Sequence, residues 1–196
     1  MRLLCSSTSP FSSKVRMAAR HLGIKLEEIH VDTNAGPTLL IDNNPLGKIP
    51  TLLTDEGAIF DSRAIMHYFD RREGGLYPSK KGKRTEIEVL EAMIDGTNEC
   101  LLSIVYERRL REPEKQHQPW IDRQWTKVSR ALTHLDAEPP KIGKKLHAGH
   151  FALAALVGYL QLRFEGQWEA DHAGLIDWAH KFEKHFPDFP AMKPQA

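Results

Sequence analysis

The spacing of apolar positions mixes strand and helix periods over roughly the first eighty residues and is helical alone thereafter. Leu3, Leu4 and Cys5 form a short apolar run closed by Ser6, Ser7, Thr8, Ser9 and Pro10, which predicts a strand over Arg2–Cys5 feeding a loop. From Ser12 or Ser13, Val15, Ala18, Ala19 and Leu22 recur at helical spacing until Gly23 ends the helix. Leu26–Val31 alternates apolar and acidic residues as a second strand. Thr33–Pro45, rich in Asn, Gly and Pro, predicts irregular or weakly helical chain. Thr51–Thr54 and Ala58–Phe60 flank Asp55-Glu56-Gly57 as a hairpin, and Asp61-Ser62 stands where a helix N-cap belongs, ahead of Ile65, Met66 and Phe69. One crossover followed by one hairpin predicts a small mixed sheet.

Between Tyr77 and Arg84 the composition turns to Pro, Ser, Gly and basic residues, which reads as a linker. The expected division is therefore residues 1–76 as an α/β domain and 84–196 as an all-helical one. In the second half Ile87, Leu90, Ile94, Leu101 and Val105 mark one helical stripe, and Ile121, Trp125, Val128, Leu132 and Leu135 another. Phe151–Leu162 is apolar nearly all round, the pattern of a buried central helix in a bundle. Leu175–Phe186 predicts a last helix, after which Pro187, Pro190 and Pro194 forbid regular structure.

Composition narrows the function classes. A formal net charge of +1 gives no reason to expect nucleic acid or an anionic membrane as partner. Two cysteines, Cys5 and Cys100, make no disulfide framework and no metal-ligand spacing, which suits a reducing cytosol. The N-terminal apolar run is too short for a signal peptide, and the charge-free stretch Ala148–Leu162 falls short of the roughly 20 residues that cross a bilayer. The expectation is a soluble cytoplasmic protein.

Phosphate loops, paired-glycine fingerprints, metal-binding His-Glu helix pairs and two-cysteine redox motifs do not occur in the chain. His147 and His150 stand three apart at a helix start and read as capping or core histidines, since no third ligand lies nearby in sequence. What remains is a set of three segments: Ser9-Pro10-Phe11 leading to Val15-Arg16; Asn44-Pro45-Leu46-Gly47-Lys48-Ile49-Pro50-Thr51-Leu52; and Asp61-Ser62-Arg63-Ala64-Ile65. Singly, each has a plain reading: a helix-start turn, a solvated lysine, a cap.

Together, in this order and spacing, the three segments closely resemble the glutathione transferase family, and the Ser-Pro-Phe step resembles its serine-type tau and zeta classes. The helical half follows less sharply, through Tyr106-Glu107-Arg108-Arg109 and the Ala154–Phe164 helix, which look like bacterial members. The resemblance implies a thioredoxin-like first domain, a helical-bundle second domain and a homodimer. It implies Ser9 as the residue that activates the glutathione thiol. Lys48 is implied near the glycine carboxylate, and Pro50 as a cis-proline that presents the Ile49 backbone to the peptide. Asp61 and Ser62 are implied at the γ-glutamyl end. Phe11, Ser12, Tyr106 and Arg109 are implied as the wall of a pocket for a small hydrophobic electrophile. Glutathione enters as co-substrate, with no further cofactor and no metal.

The physical chemistry agrees with that picture. Glutathione carries two carboxylates and an ammonium, so its site needs cationic and anionic partners held apart. Ser62 at a helix start offers N–H groups and the positive dipole end to a carboxylate, Asp61 can pair with the ammonium, and Lys48 can meet the other carboxylate. Lowering a thiol pKa of about 8.5 by roughly 2 takes on the order of 2.7 kcal/mol. One hydroxyl hydrogen bond to a charged acceptor supplies roughly 1.5–3 kcal/mol.

Two departures from the family pattern stand out. His147 and His150 occupy the places of the Ser/Thr-x-x-Asp capping box, which predicts a weaker cap. The Pro-rich Phe186–Ala196 stretch predicts an uncovered electrophile pocket. Two other functions compete with conjugation. Cys5, four residues before Ser9, would serve a glutathione-dependent thiol reductase, and the same fold can bind ligands without turnover.

Overall fold

The computed structural model describes residues 1–196. Its first part runs β1 (Arg2–Cys5), α1 (Pro10–His21), β2 (Glu27–His30), α2 (Thr38–Ile41), β3 (Thr51–Thr54), β4 (Gly57–Ile59) and α3 (Ser62–Glu73). The four strands form one mixed sheet in the order β2-β1-β3-β4. β1 is parallel to β2 and antiparallel to β3, and β3–β4 is the hairpin. This is the α/β arrangement the alternating signals predict.

Alternation along β1 and β3 splits the sheet into two faces. Leu3, Cys5 and Leu52 join the main core with α1 and α3, while Leu4 and Leu53 pack on Leu40 of α2 in a small separate cluster. The segment between Thr33 and Pro45, expected to be irregular or weakly helical, holds a 3-10 turn (Thr33–Ala35) and the single turn of α2. Leu40 supplies the reason, since it is buried against the sheet's second face.

The remaining chain is helical: α4 (Lys81–Leu110), α5 (Gln118–Ala137), α6 (Ala148–Arg163), α7 (Ala173–His185) and the short α8 (Phe189–Met192). α6 is buried without interruption from Ala148 to Leu160, as its all-round apolar sequence predicts, and packs between α1 and α4. No helix is long and apolar enough to cross a membrane.

Two expectations need correction. Helix α1 starts at Pro10, not at Ser12 or Ser13, because Ser9 takes the N-cap position and Pro10, whose missing N–H costs nothing there, takes the first turn. The Pro-rich tail is also more ordered than its prolines suggest. It forms α8 and then runs back onto α1: Ser13 Oγ donates to Met192 O at 2.7 Å, and Gln195 N–H donates to Ser7 O at 3.0 Å. Gly158 makes this docking possible, since a Cβ there would meet Pro194 Cδ at 2.7 Å. The tail thus braces the loop that carries Ser9 from behind.

A buried ion cluster joins the sheet layer to the bundle. Lys14 of α1 reaches Glu91 at 2.9 Å and Asp95 at 2.7 Å, both on α4, and the Tyr77 hydroxyl donates to Glu91. Burial disfavours the Lys14 ammonium, but Asp95 and Glu91 outweigh it and hold its pKa above the usual lysine range. At Asp95 burial prevails and pushes the carboxyl up against the pull of Lys14. Burial, with Glu91 next, also pushes the Tyr77 hydroxyl far up.

Candidate glutathione site in the cleft between sheet and bundle

A cleft of about 1180 Å³ lies where the β1–α1 loop, the segment before β3 and the start of α3 face α4 and α6. Ser9, Phe11, Lys48, Ile49, Pro50, Asp61, Ser62, Tyr106 and Arg109 all line it, so residues up to a hundred positions apart in sequence meet in one site. Ser12 does not. At the third position of α1 its side chain turns inward, fully buried, and Oγ finds no partner. None of the lining residues lies beyond Arg163, so the docked tail leaves the cleft uncovered.

Ser9 serves two ends at once. Its Oγ accepts the Ser12 N–H at 3.2 Å, capping α1. That contact uses a lone pair and leaves the hydroxyl proton free to donate into the cleft. Pro10 has no N–H, and the next one, on Phe11, has no acceptor in the protein. A thiolate beside Ser9 therefore meets one O–H and the positive end of a helix.

The segment before β3 is shaped by Asn44, buried, whose Nδ2 donates to Lys48 O at 2.9 Å and to Thr51 Oγ1 at 3.1 Å. Asn44 Oδ1 accepts Leu46 N–H at 3.1 Å, and Gly47 takes the left-handed φ of +61° that closes the turn. The Ile49–Pro50 bond is cis. Neither the N–H nor the C=O of Ile49 is bonded within the protein, so this stretch presents a free strand edge to the cleft. Lys48 is exposed and has no carboxylate within ion-pair distance.

At the start of α3, Asp61 Oδ1 accepts Arg63 N–H at 3.0 Å as the cap, and its other oxygen lies 3.6 Å from the Arg63 guanidinium. Ser62 is buried, and neither its N–H nor its hydroxyl has a protein partner. Two unpaired donors at a helix N-terminus suit a carboxylate. Arg63 also reaches Asp95 at 3.8 Å, which ties this corner to the Lys14 cluster.

Sequence reasoning missed Asn44, Arg63, Lys14, Asp95, Tyr159 and Arg163. The Lys14 cluster had a faint signal, a lysine on the apolar stripe of α1. Asn44 and Arg63 stood inside the quoted segments but were given no role there, while Asp95, Tyr159 and Arg163 carry no local signal, because their roles depend on which helix faces which.

Cys5 is fully buried, and burial together with Glu28 pushes its thiol up to about 11. Cys5, Glu28 and His30 do bring ligand atoms within 4.8 Å of one another, but Glu28 is already paired with Arg16 at 2.8 Å. His147 and His150 sit at the N-terminus of α6. The His147 N–H donates to His150 Nδ1 at 3.0 Å, and His150 Nε2 meets Lys141 O at 3.1 Å. The histidine pair thus supplies one arm of a capping box, while His147 Nδ1 stays buried and unpaired.

Fold and cleft together define the class: a small mixed sheet packed on a helical bundle, with one large cleft between them. Residues 3–76 match the family model for the glutathione S-transferase N-terminal domain. The GST-like protein YibF of Escherichia coli K12, itself uncharacterised, is 30% identical over 169 residues, covering 83% of each chain. A glutathione transferase family member from Pseudomonas fluorescens Pf-5, solved with bound glutathione, is 31% identical. It covers 100% of this chain and 99% of its own, with a TM-score of 0.89. A glutathione S-transferase from Methylobacterium radiotolerans, solved with glutathione sulfonate, is 26% identical over 100% of this chain and 95% of its own, with a TM-score of 0.90. The chain belongs to the glutathione S-transferase family.

Proposed function

We propose that this protein binds glutathione in the cleft and lowers its thiol pKa through Ser9, so that the thiolate adds to a small electrophile or reduces a peroxide. The observation that carries this reading is the Ser9 hydroxyl, whose lone pair is used by Ser12 N–H while its proton stays free at the cleft wall. Ser62 and the start of α3 take the γ-glutamyl carboxylate. The Ile49 edge takes the peptide backbone, and Lys48 the glycine carboxylate. The Pseudomonas relative solved with bound glutathione supports glutathione as the ligand.

A reductase acting through Cys5 is disfavoured, because a fully buried thiol with a raised pKa supplies little thiolate near neutral pH. As assembly we propose a homodimer, for which sedimentation should give a species of twice 22.3 kDa at micromolar concentration. The functional test is ultraviolet titration of bound glutathione. A thiolate band growing in well below the free thiol's pKa of about 8.5 supports the reading, and an unshifted titration rejects it.

A further inference from the structure

The helical wall of the cleft is polarised along its length. Asp95, Glu99, Leu102, Tyr106 and Arg109 follow one another on α4 at steps of four, three, four and three, so all five share one helix face, and all five line the cleft. The acidic end stands beside the start of α3. At 1.5 Å per residue, Arg109 lies about 15 Å further along the axis than Glu99. Arg108 lines the same far end, its guanidinium 5.9 Å from the centre of the Phe164 ring. From α6 come Tyr159 and Arg163, again one turn apart.

Arg108, Arg109 and Arg163 have no carboxylate within ion-pair distance, whereas Arg111, on the same helix end but outside the cleft, is paired with Glu107 at 3.1 Å. Tyr159 is only 2% exposed yet lines the cleft, and its hydroxyl has no partner. Burial pushes that hydroxyl up to about 12, so it remains a donor at neutral pH. Three guanidiniums and one unpaired phenol thus border a floor made of Phe11, Leu102 and Val105. Such an end repels a cation, wastes donors on a purely apolar guest, and concentrates anions.

We propose that the electrophile is a small molecule bearing a carboxylate, held by Arg109, Arg163 and the Tyr159 hydroxyl with its reactive carbon turned toward Ser9. The inference rests on the glutathione reading above and names the substrate class of that site. In the transfer the thiolate forms a C–S bond at the electrophilic carbon. With a halo acid, the halide leaves with the C–X electron pair. With an α,β-unsaturated acid, sulfur adds to the β-carbon and the α-carbon takes a proton from water. The carboxylate is unchanged in both, so it acts as a handle.

Calorimetry with glutathione, S-benzylglutathione and S-(4-carboxybenzyl)glutathione tests this without requiring turnover. The carboxylated conjugate should bind about tenfold tighter than the benzyl one, as expected for charge-assisted contacts. Arg109→Gln and Arg163→Gln should each reduce that preference to about threefold or less, and 0.5 M salt should weaken it, while affinity for S-benzylglutathione stays within about twofold. Arg130→Gln, on α5 and outside the cleft, should change nothing. Equal affinity for the two conjugates in the parent protein overturns the proposal, as does an equal loss for both in the arginine variants. If glutathione itself fails to bind, the site assignment falls and this inference with it. If glutathione and S-benzylglutathione bind without a carboxylate preference, only this inference falls.

Discussion

Lys14 Nζ lies 2.7 Å from Asp95 Oδ2, with neither side chain more than 3% exposed, and the pair links α1, directly behind the Ser9 loop, to the α4 wall of the cleft. Glu91 and Asp95 share that single ammonium in the core, so its removal leaves uncompensated charge. Lys14→Met should cost about 3–5 kcal/mol of unfolding free energy. The triple variant Lys14→Met, Glu91→Gln, Asp95→Asn should recover more than half of the loss, because no buried charge is left unpaired. Urea denaturation of the two proteins decides it, and a triple variant no more stable than the single one would refute the account.

Ser9 has two separable effects. Ser9→Ala removes the cap of α1 and should lower stability by about 0.5–2 kcal/mol. It should also raise the pKa of bound glutathione by about one to two pH units, the equivalent of one charge-assisted hydrogen bond. Ser9→Gly keeps most of the cap and should show the pKa change almost alone, while Ser9→Thr should restore both. At pH 9 much of the rate lost near neutrality should return, since the thiol then ionises unaided. Cys5→Ser should leave the titration where it is. A titration that follows Cys5 instead of Ser9 would move the chemistry to the buried thiol.

Exposure ranks the three residues placed at the charged ends of glutathione. Ser62 is buried with two unpaired donors, so Ser62→Ala should weaken binding by about 1–2 kcal/mol. Asp61 and Lys48 are exposed, so Asp61→Asn, which keeps a good cap, and Lys48→Ala should each cost about 0.2–1 kcal/mol. Calorimetry with glutathione checks the order. Loss of binding in the Lys48 variant with none in the Ser62 variant would invert the site.

The histidines at the start of α6 make stability depend on pH. Burial, with His150 nearby, lowers the His147 pKa to about 3, and burial lowers that of His150. The unfolded chain, with ordinary histidines near 6.5, therefore binds more protons in this range. Stability is full above about pH 6.5 and falls progressively as pH drops toward the folded-state values. His147→Ser should flatten this slope. It also offers His150 N–H a hydroxyl cap, which should add about 0.5–1 kcal/mol at pH 7. Thermal melts between pH 5 and 8 measure both effects, and parallel curves for parent and variant would show that His147 does not titrate on unfolding.

Much of the architecture was legible in the chain because it is written in local periods. The short apolar run of β1, the alternation around β2, the turn at Asp55-Glu56-Gly57, the cap at Asp61 and the unbroken apolar run of α6 each follow from neighbours a few positions apart. The same locality explains the errors. Ser9-Pro10 reads as a helix-start turn, yet the apolar periodicity starts α1 two or three residues late, since the first turn needs no apolar residue. The prolines after Phe186 were read as a bar to structure, although Pro190 sits at the start of α8, where a proline fits.

The sequence by itself determined the local motifs on which the proposed glutathione site rests: a hydroxyl at a helix N-cap, a strand edge before a proline, and an acid-serine pair at a second helix start. Each of these is a short-range motif whose chemistry travels with it. Only the tertiary structure decided that Ser12 turns away from the cleft, that Lys14 is buried between two acids of a distant helix, and that Arg109 of α4 and Arg163 of α6 line one cleft. Those outcomes depend on how α1, α4 and α6 pack side by side. That packing is set by the summed burial of side chains far apart in the chain, which no local pattern encodes.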